Sequence, residues 1–173
     1  MNDILAQART ILTTTPERWT SMVEALPGNL LARRPLPDEW SALQCLQHLV
    51  DTEQSVFPVR IQAILAGRDF AAFDPDAAAA TAPASDPRLL AQEFARLRTA
   101  SLAILAKVTP ADLDRRVRHQ ELGVVTMSEL LHEWTAHDLM HTVQAERALM
   151  QPFIAGSGPW HSYFKDHVAG QEK

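Results

Sequence analysis

The sequence predicts an all-α protein, folded as a four-helix bundle with a short irregular or hairpin excursion before the fourth helix. Four long segments place their apolar residues at helical spacing, and signals for strands are few and short. Amphipathic helices have to bury their apolar stripes, and four of them do so most economically against one another. The 173 residues suffice for one domain, with a core at about 15–150 and a tail at 151–173.

The first helical segment extends from about Asn2 to Leu26, and we expect it to be broken in two. Thr15-Pro16-Glu17 has the features of a helix start, because a hydroxyl N-cap, a proline and an acid follow one another. Residues 28–40 are rich in proline, which favours a loop without regular structure.

The second helix begins after Ser41, a good N-cap, and ends near Gly67. Pro58 should kink or interrupt it, because a proline inside a helix removes one backbone hydrogen bond and clashes with the preceding turn. Small residues and prolines at 74–87 predict a connector, and the third helix follows from about Arg88 to Val108.

The segment after the third helix, "DRRVRHQELGVVTMSE", contains β-branched residues and Gly123, which predict the extended or hairpin-like excursion. Ser128 is the predicted N-cap of the fourth helix, which continues to about Met150. We expect the tail beyond it to add a short terminal helix.

The fourth helix carries the strongest chemical signal, "HEWTAHDLMHTVQ" at residues 132–144. His137 and His141 are four residues apart, so they differ by only about 40° around the helix and share a face. The same face carries the apolar seam Leu130, Trp134, His137, His141, Gln144 and Ala148. Buried imidazoles need polar partners, and two histidines at this spacing can share one divalent metal ion. The alternative is a pair of exposed or hydrogen-bonded histidines without a metal.

The segment His137-Asp138-Leu139-Met140-His141 also resembles the zincin motif, with Asp138 in place of the usual glutamate. Gln144 and Arg147 stand where the motif continues in one zincin group, and aspartate is one methylene too short for the general base. The protease interpretation is therefore rejected. We assign no metal-binding role to the remaining histidines, His119, His132, His161 and His167.

A third ligand is expected upstream, and His48 in the second helix is the candidate. In a bundle, ligands from facing helices converge on a point in the core. Three histidines leave coordination positions open, which is the form of catalytic rather than structural zinc sites. Asp51, Glu53 and Asp138 are candidates for orienting an imidazole or moving a proton, although solvated helix charges are the favoured interpretation of all three.

Trp40-Ser41, then His48-Leu49, then "HDLMHTVQ" near the end resemble the DinB-like (damage-inducible, YfiT-type) metalloprotein superfamily over about residues 15–150. The resemblance implies a four-helix bundle and a metal triad of His48, His137 and His141 that holds zinc or nickel. It also implies that Gln144, one turn beyond the second histidine, donates a hydrogen bond just outside the triad, with Asp138 as a second candidate there.

The resemblance also implies an activity. Relatives include enzymes that join a low-molecular-weight thiol, such as bacillithiol, mycothiol or glutathione, to an electrophile, and thiol-dependent isomerases. We therefore expect a metal-dependent thiol transferase in stress or detoxification, with a pocket lined by Trp40 and by residues of 118–127. A metal-dependent hydrolase and a noncatalytic metal-binding bundle remain alternatives.

Bulk properties narrow the range of partners. The net charge of −5 and the absence of long basic runs argue against nucleic acid. No stretch approaches the ~18 apolar residues of a membrane span, the N-terminus lacks a signal-peptide pattern, and the lone Cys45 excludes an intrachain disulfide. We expect a cytoplasmic protein with a small-molecule substrate, and a homodimer.

Overall fold

The computed structural model describes residues 3–72 and 86–170, and it confirms the four-helix bundle. The four bundle helices are α1 (Ile4–Ala25), α3 (Ala42–Ser55), α5 (Pro87–Leu105) and α6 (Met127–Ala155). The other elements are α2 (Gly28–Leu31), α4 (Phe57–Leu65), β1 (Arg116–His119), β2 (Gly123–Thr126) and two 3-10 segments, Pro110–Asp112 and Gly158–His167. Most of the predicted connector at 74–87 lies outside the described residues.

Two clusters of buried apolar side chains fill the bundle. One is centred on Trp134, whose ring stacks on that of Phe57 at 5.2 Å between centroids, and the other contains Trp19 and Phe94. Burial of such rings stabilises the fold in proportion to the apolar area removed from water. Four residues of the predicted α6 seam are buried, and so are two leucines of α3: Leu130, Trp134, His141 and Ala148, with Leu46 and Leu49. As a result, α3 and α6 face each other, and this places their histidines in one region of the core.

α1 is one continuous helix, so the predicted break at Pro16 is wrong. Proline has no N–H, and the carbonyl of Leu12 therefore loses its usual partner within the helix. The guanidinium of Arg98 on α5 supplies the missing donor, at 2.9 Å from Nη1 to the Leu12 oxygen. A tertiary hydrogen bond thus compensates for the proline, and the helix continues.

The predicted interruption near Pro58 is confirmed. Ser41 caps α3 in a capping box with Gln44, and α3 ends at Ser55. Val56 (φ −115°, ψ −77°) separates it from α4, and Pro58 lies in the first turn of α4, where no donor is needed. The break lets α4 take a direction of its own.

The segment 28–40 was predicted to lack regular structure, and this is wrong for its first residues. α2 forms one turn there, because the carbonyl of Pro27 accepts from the backbone N–H groups of Leu30 and Leu31. Leu31 is buried in the core, which fixes the turn against the bundle.

The hairpin before the last long helix is confirmed as an antiparallel pair, β1 and β2, with His119 opposite Gly123. Gly123 has φ 79°, a conformation that favours glycine. Phe70 bridges to His119 on the open edge of β1, which joins the hairpin to the segment after α4.

The predicted N-cap of the fourth helix, Ser128, is wrong by two residues. β2 passes directly into α6, and Thr126 caps the helix in a capping box with Glu129. The helix also continues to Ala155, beyond the predicted end, and the tail adds a 3-10 helix as expected. Among the described helices, none combines the length and apolarity that a bilayer crossing requires.

Candidate metal centre

The structure brings His48, His137 and His141 together. His48 lies on α3 and the other two lie on α6, and one ring nitrogen of each falls within 4.8 Å of the others. The Nε2 atoms of His48 and His137 face each other at 3.0 Å. Two nitrogens in this position either share one proton or present two lone pairs to a cation. Histidine nitrogens are common ligands of zinc and nickel, so the donor set fits a divalent ion.

Aromatic neighbours fix the orientation of the triad rings. Trp40 stacks on His141, with 5.7 Å between centroids, and the ring of Phe57 meets that of His137 edge-on at 5.1 Å. Trp40 also packs at 5.0 Å from His48. Rings packed on several sides have few alternative rotamers, and this holds the three ligand nitrogens close together before any ligand arrives.

Gln144 lies next to the triad as predicted, but with the opposite hydrogen-bonding role. Its Oε1 lies 2.9 Å from Nδ1 of His141, so Gln144 accepts and His141 donates. A neutral His141 that carries its proton on Nδ1 has a free lone pair on Nε2, the form that binds a metal.

Burial lowers the pKa of all three triad histidines. For His48 the pKa falls to about 4, with His141 as a second cause, and for His137 it falls to about 3, with His141 and His48 as further causes. The pKa of His141 is lowered by burial too, against the opposing effect of Gln144. All three are therefore neutral near pH 7, as ligation requires.

We expect the metal-free protein to lose stability on acidification below about pH 7.5. In that range His48 and His137 take up protons in the unfolded chain, where the pKa of each is near 6.5. In the folded protein the His48 side chain stays neutral down to about pH 4 and the His137 side chain down to about pH 3. The unfolded state binds more protons, so the free energy of unfolding should fall by about 1 kcal/mol per histidine between pH 7.5 and 5.5. Urea titrations of the chelator-treated protein would measure this.

The double variant His48→Ala/His137→Ala is the control for that titration. It lacks both groups, so its stability should vary less over the same pH range. If the free energy of unfolding depended equally on pH in the two proteins, the lowered pKa values of His48 and His137 would be contradicted.

Behind the triad, Arg98 on α5 forms a buried network with Glu53 of α3 and Asp138 of α6. The guanidinium donates to Oε1 of Glu53 at 2.7 and 3.0 Å, and to both oxygens of Asp138 at 2.7 and 2.9 Å. With the bond to Leu12, all five N–H groups of Arg98 are used. Trp134 Nε1 adds a hydrogen bond to Glu53 at 3.1 Å.

This network corrects the interpretation of the acids. Glu53 and Asp138 were expected to be solvated charges, but both are buried and paired with Arg98. Both oxygens of Asp138 bind Arg98, so its carboxylate supports α6 from behind the histidines. Asp51 is half-buried and accepts a hydrogen bond from Gln47.

A cavity of about 340 Å³, which we call the triad cavity, opens from the three histidines to solvent. Trp40 lines it, as predicted, together with Phe57 and Met140, and Arg60 and Glu133 add charge. Its lining does not include hairpin residues, which were predicted there; they line an adjoining pocket instead. Among the described residues, the cluster of candidate ligand atoms contains no fourth histidine, cysteine or acid.

The other histidines divide into two groups. His132 is exposed and contacts the Ser128 carbonyl at 2.8 Å, and His161 and His167 are exposed as well. His119 differs, because it is only 5% exposed and lines the pocket beside the triad cavity.

Sequence reasoning did not identify Arg60, Arg98 or Glu133. For Arg98 a signal was present, because Phe94, Arg98 and Leu105 follow one another at helical spacing and a charge therefore falls on an apolar face. The sequence around Arg60 and Glu133 shows no such pattern. The two side chains line one cavity because α4, which carries Arg60, turns after the break at Val56.

Comparison with known proteins agrees with the described fold. The sequence profile of the DinB superfamily matches residues 11–145. The fold is similar to that of YfiT from Bacillus subtilis, described as "a probable metal-dependent hydrolase with an unusual four-helix bundle topology": the TM-score is 0.73, with 18% identity over 86% of this chain and 87% of YfiT. No curated protein matches the chain. The family match covers most of the sequence, and the protein belongs to the DinB superfamily.

Proposed function

We propose that this protein is a metal-dependent enzyme that joins a low-molecular-weight thiol to an apolar electrophile, with zinc or nickel held by His48, His137 and His141. The observation that carries the proposal is the open triad. Three neutral imidazoles converge at the base of a solvent-connected cavity, and the described residues supply no fourth ligand of the usual types. Open histidine sites of this form are typical of catalysis, whereas structural sites are closed.

A divalent ion at the triad would lower the pKa of a thiol or water that binds to it and so supply a nucleophile near neutral pH. The thiol has to come from outside the chain. Cys45 is fully buried in the core, and burial raises its pKa to about 12. It is therefore protonated and inaccessible, unlike the low-pKa thiols that act as nucleophiles.

The cavity walls suit the other reactant. Trp40, Phe57 and Met140 present aromatic and flexible apolar surface, which favours a hydrophobic electrophile. Glu133 reaches the same cavity, and among described residues it makes no hydrogen bond, so its carboxylate can accept the proton released by the entering thiol or water. The transfer then forms one sulfur–carbon bond, and the leaving group departs with its electron pair.

Metal-dependent hydrolysis is the second candidate, and the description of YfiT favours it. The same residues would act in it, with Glu133 accepting a proton from water rather than from a thiol. The two reactions differ in one requirement, because hydrolysis proceeds without an added thiol.

Turnover assays separate these candidates. We expect glutathione or another small thiol to react with 1-chloro-2,4-dinitrobenzene in the presence of zinc- or nickel-loaded protein, and the activity to be lost on chelation and in His48→Ala. Cys45→Ala is the matched control and should keep the activity. Cleavage of p-nitrophenyl esters without thiol would favour the hydrolase, and absence of both activities in the loaded protein would favour a noncatalytic metal-binding role.

A further inference from the structure

A second cavity adjoins the triad cavity. It has a volume of about 150 Å³ and lies against the hairpin, and we call it the hairpin pocket. Its apolar lining consists of Phe70, Leu122, Val125 and Leu130. Arg60 and Glu133 line both cavities, so they stand at the junction between them.

His119 enters the hairpin pocket in a fixed tautomer. Its Nδ1 accepts hydrogen bonds from the backbone N–H groups of Glu121 and Leu122, at 3.1 and 3.3 Å. A neutral histidine that accepts at Nδ1 carries its proton on Nε2. His119 is 5% exposed, and the bridge to Phe70 and an edge-on contact with its ring at 5.4 Å hold the imidazole in place.

Arg60 and His119 therefore present two donors to the same place. Nη2 of Arg60 lies 3.4 Å from Nε2 of His119, but both atoms carry hydrogen and cannot bond to each other. Arg60 also lies over the ring of Phe70, with 5.2 Å from Cζ to the ring centroid, which restrains the guanidinium beside the imidazole. Two adjacent donors, one of them charged, are satisfied together by a single oxyanion.

We propose that Arg60 and His119 bind the carboxylate of a small monocarboxylate ligand, and that the hairpin pocket holds an apolar group of the same molecule. The guanidinium offers a charge-assisted hydrogen bond to one carboxylate oxygen, and the Nε2–H of His119 offers another. A bound carboxylate would satisfy both donors, which in the free protein face each other.

Size and charge define the ligand further. An apolar cavity of 150 Å³ is large enough for a benzene ring, so the apolar group has about that size. Glu133 and Glu129 also line the pocket, and their negative charges disfavour dianions such as phosphate. A monocarboxylate with one aryl or short alkyl substituent fits both conditions.

The position at the junction connects this ligand with the triad. With the apolar group in the hairpin pocket, a carboxylate at Arg60 lies where the triad cavity begins, because Arg60 lines both cavities. That the ligand is the electrophile of the reaction rests on the proposed function, whereas its binding does not.

Isothermal titration calorimetry with 3-phenylpropionate tests the inference, with 3-phenylpropionamide as the neutral control of the same shape. We expect the carboxylate to bind at least about tenfold more tightly than the amide, because the amide lacks the charge that Arg60 recognises. Arg60→Gln should remove most of this difference. Glu133→Gln should strengthen carboxylate binding, since it removes the nearby negative charge, and this opposite change does not depend on how well the Arg60 variant folds.

The titrations are run on metal-loaded and on chelator-treated protein. Because carboxylates also bind metal ions directly, binding that disappears with the metal would overturn the proposal, as would equal affinity for acid and amide or unchanged affinity in both variants. If the protein binds the carboxylate but shows no turnover, the proposed function is refuted and the carboxylate subsite stands. If it shows thiol-dependent turnover but no preference for the carboxylate, the subsite is refuted and the proposed function stands.

Discussion

Replacing His137 with alanine is expected to abolish metal binding while the bundle remains folded. His137 contributes one of three ligand nitrogens and faces His48 at 3.0 Å, so its loss leaves two ligands on different helices. The side chain is only partly buried, and its removal widens an existing cavity rather than creating one in the sealed core. Equilibrium dialysis against zinc followed by elemental analysis should give about one ion per native chain and none in the variant.

His132→Ala is the matched control for that measurement. His132 lies on the same helix but is exposed and outside the triad, so its replacement should leave metal content unchanged. Circular dichroism of both variants reports whether the helices persist. Full metal occupancy in His137→Ala would refute the assignment of the ligands.

Arg98→Leu should destabilise the protein severely. The substitution leaves Glu53 and Asp138 buried without their cation and removes the donor to the Leu12 carbonyl. Breaking a buried ion pair by deleting one partner costs about 3–5 kcal/mol, because the remaining charge is stranded in the core. Urea denaturation of metal-free protein is the appropriate measurement, since bound metal would add its own stabilisation.

A surface arginine on the same helix provides the comparison. Arg96 pairs with Glu93 at 2.7 Å, but its side chain is 64% exposed, so Arg96→Leu should change stability little. Neutralising all three buried groups, with Arg98→Met, Glu53→Gln and Asp138→Asn together, should restore much of the stability that Arg98→Leu loses. If Arg98→Leu were as mild as Arg96→Leu, the network would not be a stabilising feature.

The helical bundle and the pairing of His137 with His141 could be predicted because both follow from local periodicity. Apolar spacing identified the bundle helices, and the four-residue interval placed His137 and His141 on one inward face. Facing helices then brought His48 to the same point. That these residues bind a metal stays a prediction.

The errors at Pro16, Glu53 and Asp138 have a common physical cause, which is a partner distant in sequence. Pro16 looks like a helix start until Arg98, on another helix, satisfies the carbonyl that the proline leaves free. Glu53 and Asp138 look solvated for the same reason, since the cation that permits their burial lies 45 and 40 residues away. Local patterns cannot reveal a compensation that exists only after the chain has folded.

The hydrogen bond to Leu12 also makes Arg98 a link among all four bundle helices, because the side chain of α5 contacts α1, α3 and α6. No bundle helix can separate alone without exposing or stranding a member of this network. Opening of the bundle should therefore be cooperative, and backbone amides in the middle of all four helices should exchange with solvent at the rate of global unfolding. The hairpin carries no member of this network, so it can open for a ligand while the histidine triad keeps its shape.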